Sequence, residues 1–397
     1  MYLIERGFII RNTFVEINLD NIKYNIAEIK KKFSGYKYYI GVVKGNAYGH
    51  GFEICKYFIQ YGINYFAVSN LDEALELRKY IPIDTGIMLL NPISQDYLDI
   101  CVKNNIDITI GNYEQYKKII DMDDEIKSKI RFHLKLNTGM NRIGISDINE
   151  IENIFKNLGR EDMPKLIGIY THLATSGYMD KIYDNQIDKF IELTKNIDLK
   201  LIEMVHIFRS NTLQYHKKLE FCNSVRIGLM MYGYSQTIPK YSKGLKDKIR
   251  KIKLNYIRKK LNISDIVETD IYLKPAFTLK SEVIAVTKIK SNDIVGYGGT
   301  YKSEKEQIVA VLDVGYADGL SLFNTGRNIL INEKKYKIVG TVNMGNITVI
   351  VDDNVKIGDT AIILGEDIFL KDVSKHTKQT IYVIMSQITP FIKRVYK

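Results

Sequence analysis

The strongest constraint on the fold is a regular alternation between residues 36 and 232, where short β-rich runs alternate with charged, amphipathic stretches. In the stretch LDEALELRKY, for example, Ala74, Leu75 and Leu77 fall on one side of a helix. The eight β-rich runs are YYIGVVK, YFAVS, GIMLL, DITIG, RFHLKL, LIGIYT, EMVHI and SVRIGLM. Eight strand–helix units of this size are typical of a parallel (β/α)8 barrel of the TIM type, which we predict here.

After Tyr272 the pattern changes to β-rich runs separated by turns that contain Gly, Asn and Asp. These runs are FTLKSEVIAVTKI, EQIVAVLDV, NILINEKKYKIVG, ITVIV and TAIILG. They predict a separate, mostly β domain at the C-terminal end. The predicted domains are a barrel over residues 1–240, a basic linker over 241–271 and a β domain over 272–397. The first residues of the chain could join the β domain.

The net charge of +11 comes mostly from one segment. Between Lys240 and Lys260 there are ten basic residues and one acidic residue, Asp247. A basic face spread over the chain would indicate nucleic-acid binding, and a single local block does not, so no nucleic-acid partner is expected. Apolar residues recur in the segment at helical spacing, which predicts an amphipathic helix with a solvated basic face. We favour an exposed surface insertion over contact with an anionic membrane or another polyanion. The recurring residues are Ile249, Ile252, Tyr256, Ile257 and Leu261.

The cysteines and the hydropathy pattern point to a cytoplasmic protein. Cys55, Cys101 and Cys222 are odd in number, far apart and in apolar surroundings, so they are expected to be buried thiols and not disulfides or metal ligands. No apolar run is long enough to span a bilayer, and the first ten residues do not resemble a secretory segment.

Polar residues follow several of the predicted barrel strands at the point where each strand ends. In a (β/α)8 barrel these ends meet at one rim, where the chemistry takes place. Cationic side chains and glycine-rich turns that converge on one rim predict a site for an anionic, phosphorylated ligand. The residues concerned are Lys44 with the following GNAYGHG, Lys135 and Arg142 around NTGMNRIG, His172, Ser210, and Arg226 just before Gly228.

These motifs carry a family resemblance. VVKGNAYGHG resembles the cofactor-lysine motif of alanine racemases. The resemblance continues in order through FVEINLDNIKYN, FAVSNLDEALELR, HLKLNTGMNRIG, IYTHLAT, RIGLMMYG, VGYGGTY and VGYADG, and so covers nearly the whole chain except the basic segment. It implies a barrel joined to a β domain, pyridoxal 5'-phosphate as cofactor, an amino-acid substrate, and a homodimer with shared active sites. A metal is not implied.

The resemblance also implies roles in holding the cofactor. Lys44 matches the lysine that carries the cofactor and acts as one of two catalytic bases. Arg226 matches the arginine that faces the cofactor's ring nitrogen. An arginine there is always charged and only donates, so the nitrogen stays unprotonated, which favours racemisation over transamination. His172 matches the residue that stacks near the ring and links the second base to Arg226. Phosphate-binding positions are matched by Tyr48, Ser210, Gly228 and Leu229.

The remaining matches concern the substrate. Tyr297, in VGYGGTY, matches the second base, which the partner subunit supplies to the opposite face of the substrate. Arg142 matches the arginine that binds the substrate carboxylate. Lys135 matches a lysine that is often carbamylated, where the added anion orients the arginine; unmodified, it would place like charges together. Met344 and Tyr316 match pocket positions contributed by the second chain.

Several positions depart from the family pattern, and they match its entrance corridor. Charged or bulky residues common in the family are here small or uncharged, and the cysteine next to the counterpart of Met344 is Asn343. The resemblance makes alanine the default substrate, and the altered corridor makes serine or a larger polar or basic amino acid the alternative. The corridor positions are Gly177, Leu322, Thr341 and Gly345, and Gln387 in place of a tyrosine.

Three other kinds of protein share parts of this pattern. Barrel-type decarboxylases use the same cofactor but normally place an acidic residue at the ring nitrogen, so Arg226 argues against them. Non-catalytic cofactor carriers of the barrel type are single-domain, and the β domain with Tyr297 argues against them. The soluble part of a membrane-anchored serine racemase would look similar, but this chain shows no membrane segment.

Overall fold

The computed structural model describes residues 11–235, 244–263 and 266–397, without the side chains of 245–247. The chain divides into two compact units. The first comprises Lys23–Gly45 and Cys55–Lys274. The second comprises the described part of Met1–Ile22 together with Asn46–Ile54 and Pro275–Lys397. Residues 46–54, which lie within the predicted barrel range, thus belong to the second unit, and the predicted domain limits stay a prediction. The first ten residues, where no secretory segment is expected, and residues 240–243 lie outside the described ranges.

The first unit contains a closed barrel of eight parallel strands, as predicted. Its second to fourth strands are buried along their whole length, because parallel strands are covered by helices outside and by packed side chains inside. The apolar runs in the sequence are the consequence of that burial. The barrel strands are Tyr38–Val42, Tyr65–Val68, Gly86–Leu89, Ile106–Ile110, Arg131–Lys135, Lys165–Tyr170, Met204–Arg209 and Ser224–Ile227.

Several helices between the strands begin at side-chain caps and bury one face. Asn70 accepts a hydrogen bond from the backbone N–H of Glu73, and the helix it caps buries Ala74 and Leu77. Asn112 caps another helix in the same way. The α-helices up to residue 260 are Leu19–Lys32, Cys55–Gln60, Leu71–Arg78, Leu98–Lys103, Tyr113–Ile120, Asp124–Lys127, Ile148–Lys156, Ile182–Leu193, Ser210–Leu213 and Leu245–Lys260. Lys44–Tyr48 forms a short turn with left-handed backbone angles after Lys44.

All three cysteines are free and buried, which confirms the prediction of buried thiols. Burial raises the pKa of the Cys101 thiol to about 12. Within the described ranges, each helix is too short or too polar to cross a bilayer.

The second unit is built on an eight-stranded, mostly antiparallel sheet. Its long strand Phe277–Ile289 pairs with Gln307–Leu312, with Thr360–Leu364 and with the N-terminal strand Phe14–Ile17. The prediction of a C-terminal β domain is confirmed. The other strands of this sheet are Asn328–Ile331, Lys334–Val339, Ile347–Val351 and Lys393–Tyr396, and Ile294–Val295 pairs with Tyr301–Lys302 in a separate two-stranded sheet. The α-helices are Leu370–Thr377 and Ile381–Ser386.

The basic segment forms a 16-residue helix, Leu245–Lys260, within the first unit. Its side chains are mostly exposed. The amphipathic helix expected there from the sequence is therefore present over its described part.

Candidate functional site

The C-terminal rim of the barrel gathers cationic side chains. Lys44 lies two residues after the end of the first barrel strand, Tyr38–Val42. Lys44 and Arg142 are exposed, whereas Lys135 and Arg226 are buried. These four cations lie close enough for the other three to lower the pKa of Lys135 through their charges. The structure thus brings together the rim residues that the sequence singled out.

The chain after Lys44 has an unusual backbone. Gly45, Asn46, Ala47 and Tyr48 all have φ between 52° and 63°, in the left-handed region. Non-glycine residues adopt this region at a cost of roughly 1–2 kcal/mol each, so the three that follow Gly45 require support from their surroundings. Strain of this kind clusters at functional sites, which agrees with a specialised role for the turn after Lys44.

Hydrogen bonds support this turn at both of its ends. At its start, the Glu73 carboxylate accepts from the backbone N–H groups of Gly45 and Ser69, each at 2.7 Å. At its end, Arg394 Nε donates to the carbonyl of Gly49 at 3.0 Å. The imidazole Nδ1 of buried His50 lies 3.1 Å from two carbonyl oxygens of the turn and must therefore donate. His50 is thus part of the support of the turn.

Arg226 is held by four hydrogen bonds inside the barrel. Its Nη1 donates to His206 Nδ1 at 2.6 Å and to the His206 carbonyl at 2.7 Å. Its Nη2 donates to the carbonyls of Thr171 and Ile207 at 2.7 and 3.0 Å. A guanidinium has five N–H donors, so the Nε–H is the one donor that no other described residue engages. Burial lowers the pKa of Arg226 to about 10, and the group remains charged at neutral pH.

His206 begins a buried hydrogen-bond chain that leads away from Arg226. Because Arg226 only donates, His206 Nδ1 is an acceptor, and its Nε2–H donates to His133 Nδ1 at 3.0 Å. His133 Nε2–H then donates to the Tyr65 hydroxyl at 2.8 Å, and that hydroxyl donates to the Asp107 carboxylate. Every tautomer in the chain is fixed by its neighbour.

The hydrogen-bond chain that starts at Arg226 ends at an ion pair between Asp107 and Arg131. Asp107 also accepts from Arg131 Nε at 2.6 Å and from Arg131 Nη2 at 3.2 Å. Burial alone would raise the pKa of Asp107, but His133 and Arg131 hold it below its usual value. The chain connects the arginine at the rim with residues near the N-terminal ends of the fourth and fifth strands, and it fixes the direction in which each of its groups donates.

Lys135 and His172 sit in an electropositive environment. Burial, together with Arg142, Arg226 and Lys44, lowers the pKa of Lys135 to about 8. None of the acidic residues in the described ranges forms an ion pair with it; its ammonium lies 5.5 Å from the centre of the Tyr170 ring. Burial, together with the charges of Arg226, Arg209, Arg142 and Lys135, lowers the pKa of His172 to about 2, so His172 is neutral at physiological pH.

The ends of the seventh and eighth strands meet at Ser210 and Gly228. The buried Ser210 hydroxyl accepts from the Gly228 N–H at 3.1 Å. Short helical turns, Ser210–Leu213 and Leu229–Tyr232, follow the two strands. The loops after the last two strands of a (β/α)8 barrel frequently bind phosphate. This corner fits the predicted phosphate position.

In the second unit, Tyr297, Tyr316 and Met344 are exposed by 79%, 45% and 62%, which is high for large apolar side chains. Hydrogen bonds link their segments: Thr341 Oγ1 donates to the Tyr297 carbonyl at 3.3 Å, and the Tyr316 N–H donates to the Asn343 carbonyl at 2.9 Å. The Ala317 N–H likewise donates to the Met344 carbonyl at 3.0 Å. The three side chains predicted to reach a second chain therefore belong to connected, exposed segments. Tyr48 lies in the same unit.

One departure from the family pattern has a local explanation. Gly177 has φ +68°, and a Cβ there would lie 2.4 Å from Tyr183 Cβ and 3.0 Å from His216 Nε2. The packing around Tyr183 and the backbone conformation therefore require glycine, independently of any substrate. By contrast, a Cβ at Gly345 would meet open space, and Leu322 is exposed.

Sequence reasoning missed several supporting residues. Glu73 and Tyr170 lie within quoted motifs, but a motif does not show which backbone groups a carboxylate accepts from. Three others are buried polar residues on predicted strands: Asp107, Tyr65 and His206. Polar residues are uncommon in the interior, so their presence in these runs was the signal that could have indicated a buried hydrogen-bond network.

A closed parallel barrel, a lysine after the first strand and a buried arginine at the rim are the features of a barrel-type enzyme with a cationic site at its C-terminal rim. The comparisons then identify the family. Residues 17–236 match the alanine racemase N-terminal domain family, and residues 276–396 match the alanine racemase C-terminal domain family. The chain belongs to the alanine racemase family.

Individual relatives agree with this assignment. An alanine racemase of Clostridium kluyveri is 32% identical over 97% of this chain and 94% of its own length. The crystal structure of alanine racemase from Bacillus anthracis with bound L-Ala-P is 28% identical, with a TM-score of 0.81 over 98% of this chain and 95% of that one. Alanine racemase from E. faecalis is 27% identical, with a TM-score of 0.82 over 98% of both chains. The decarboxylase and carrier alternatives are not favoured by these matches.

Proposed function

We propose that this protein is a pyridoxal 5'-phosphate-dependent racemase that interconverts L- and D-alanine by a two-base mechanism. The observation that carries the proposal is the hydrogen bonding of Arg226: its four Nη–H groups donate to the protein, and its Nε–H remains available to a ligand. An arginine held in this way suits a ring nitrogen that accepts a hydrogen bond.

The residues present fit this cofactor. Lys44 would hold it covalently, and Tyr48, Ser210, Gly228 and Leu229 would hold its phosphate. The neutral imidazole of His172 would stack near its ring. When bound, pyridoxal phosphate acidifies the α-hydrogen of an amino acid.

Two side chains of this protein would move the α-proton. Lys44 Nζ would act on one face of the substrate and Tyr297 Oη on the other, because a substrate fixed at its amine and carboxylate cannot rotate to present its other face to the same base. We propose that Tyr297, with Tyr316 and Met344, comes from a second copy in a homodimer. Their exposure within one chain supports this assignment, because a partner would cover them.

Arg142 would bind the substrate carboxylate, and Lys135 would orient it as a carbamate. The lowered pKa of Lys135 supports the modification, since a neutral amine is the form that reacts with carbon dioxide. A carbamate would also replace a buried positive charge among cations by a negative one. The cytoplasmic location expected from the sequence stays a prediction.

The proposal is tested by following L-alanine in D2O with the purified holoenzyme. Optical rotation should decay to zero while deuterium enters Cα. Borohydride reduction and peptide mapping should place the pyridoxyl group on Lys44. Lys44→Ala should remove racemisation, and Tyr297→Phe should slow proton removal from the L-substrate more than from the D-substrate. As matched controls, Lys195→Ala and Tyr97→Phe at exposed barrel positions should change neither. A pyridoxyl group on another lysine would refute the assignment.

A further inference from the structure

The basic helix Leu245–Lys260 presents an exposed apolar stripe to solvent. Ile249, Ile252 and Tyr256 are 57%, 69% and 66% exposed. At about 100° per residue, their spacing of three and four places them within an arc of roughly 60° on one side of the helix. We call these three side chains the apolar ridge. Three adjacent large side chains that are this exposed call for a partner surface.

The opposite side of the helix faces the first unit. Arg258 donates from Nη2 to Glu268 Oε1 at 3.0 Å and from Nε to the Tyr178 carbonyl at 3.3 Å, and its guanidinium lies 4.4 Å from the centre of the Tyr178 ring. Leu254 and Ile257, which are only partly exposed, line a hollow together with Tyr178. The helix is therefore anchored by one side, which orients the apolar ridge outward.

Lysines flank the apolar ridge on both sides. By the same helical spacing, Lys248 and Lys259 lie along one edge of the ridge, and Lys253 and Lys260 along the other. All four are exposed. Apolar side chains bordered by lysines are the arrangement by which a helix lies in the interface of an anionic membrane, with the ridge among the acyl chains and the ammonium groups at the head groups.

Charge distinguishes this partner from a second copy of the chain. The helix carries eight basic residues and one acidic residue, so two such helices would repel each other along their length. The segment also lies between the two family-domain matches, which end at residue 236 and resume at 276. The apolar ridge is thus separate from the catalytic proposal.

We propose that the basic helix docks this protein reversibly on anionic phospholipid surfaces. The sequence alone favoured an ordinary solvated face. The outward orientation and the exposure of the apolar ridge now favour membrane contact. A lysine near such a surface contributes roughly a fivefold gain in partitioning, and the effect is screened by salt.

The chain has no tryptophan, which permits a direct test. Tyr256→Trp would place a single fluorophore on the apolar ridge, and Tyr97→Trp would place one at another exposed position of the barrel unit. With vesicles of phosphatidylcholine and phosphatidylglycerol, the Tyr256→Trp emission should shift to the blue and the protein should cosediment. Vesicles of phosphatidylcholine alone should have neither effect, and Tyr97→Trp should not shift.

Two triple variants separate the contributions. Ile249→Ser/Ile252→Ser/Tyr256→Ser should abolish cosedimentation, and Lys248→Gln/Lys253→Gln/Lys259→Gln should weaken it by about a hundredfold. A control with Lys195, Lys200 and Lys217 changed to Gln should bind like the parent. Circular dichroism and racemase activity should be unchanged in all three variants. Absence of vesicle binding at low salt, equal binding to neutral vesicles, or a ridge variant that alters only the oligomeric state would overturn the proposal.

Discussion

Lys135 shows how the surroundings of one residue can make it a site for modification. It is buried beside three cations, so its ammonium form is disfavoured and the pKa is lowered to about 8. A lysine in this state loses its proton more readily than an exposed one, and the neutral amine is a better nucleophile. While it is charged, it repels Arg142.

We therefore expect a carbamate on Lys135. In 13C-bicarbonate, the protein should give a carbamate carbon signal by NMR that is absent from Lys135→Gln. Because the neutral amine reacts, the signal should be strong above pH 8 and decline as the pH falls below it. Lys195→Gln should keep the signal. If the wild-type spectrum shows none at pH 9, Lys135 acts unmodified.

The residues at the predicted entrance lead to a prediction about specificity. By the family resemblance, Gln387 would replace a ring that narrows the passage, and Leu322 and Gly345 would replace charged or bulky side chains. Glycine at 177 is already explained by the backbone. A hydrophobic pocket separates substrates that differ by one methylene by only about 1–3 kcal/mol, so a wider passage admits larger amino acids. Measured kcat/KM values for serine, lysine or ornithine should come within about a hundredfold of that for alanine, and Gln387→Tyr should lower them selectively. A preference for alanine of several orders of magnitude would contradict this prediction.

At the scale of elements, the buried hydrogen-bond chain from Arg226 to Asp107 links strands of the barrel. Apolar packing alone would not fix the register of these strands. Asp107 accepts from Tyr65 and from Arg131, so its loss leaves a buried network without its final acceptor. The Asp107 carboxylate is buried, but 36% of the Arg131 side chain is exposed, so the cost of removing Asp107 is below the roughly 3–5 kcal/mol of a fully buried ion pair.

Asp107→Asn should accordingly lower the free energy of unfolding in urea by about 1–3 kcal/mol at pH 7, whereas Asp99→Asn, in an exposed pair with Lys103, should change it by less than about 1 kcal/mol. The pKa of Asp107 is depressed in the folded state, so its contribution is present above the unfolded value of 3.8 and is lost as the pH falls below it. The difference between wild type and Asp107→Asn should therefore shrink below about pH 4. A difference that is constant from pH 3 to 7 would mean that Asp107 does not titrate with the network.

The sequence predicted the elements whose signal is local. All eight barrel strands lie in β-rich runs of the sequence, and the long strand Phe277–Ile289 is marked by its alternation. The strand Phe14–Ile17 and the edge strand Lys393–Tyr396 were not predicted, because each is short and pairs with a segment distant in sequence. The left-handed turn after Lys44 was missed for a related reason: it is held by Glu73 and Arg394, and no local propensity favours it.

At the scale of the whole molecule, the proposal divides the catalytic pair between two chains. Lys44 belongs to the barrel unit and Tyr297 to the β unit, where its side chain is exposed. If each site takes Lys44 from one copy and Tyr297 from the other, the two functions can be separated genetically, which a monomeric enzyme does not allow.

Lys44→Ala and Tyr297→Ala should each be inactive alone and should complement each other when unfolded and refolded together. In an equal mixture about half of the dimers are hybrids, and each hybrid has one site with both residues intact and one with neither. The mixture should therefore recover roughly a quarter of the wild-type activity, and the recovered activity should fall on dilution as dimers dissociate. Lys44→Ala refolded with the double variant Lys44→Ala/Tyr297→Ala should recover none, because no combination then contains an intact lysine. If the two single variants also recover none although mass spectrometry shows hybrids, Lys44 and Tyr297 act within one chain.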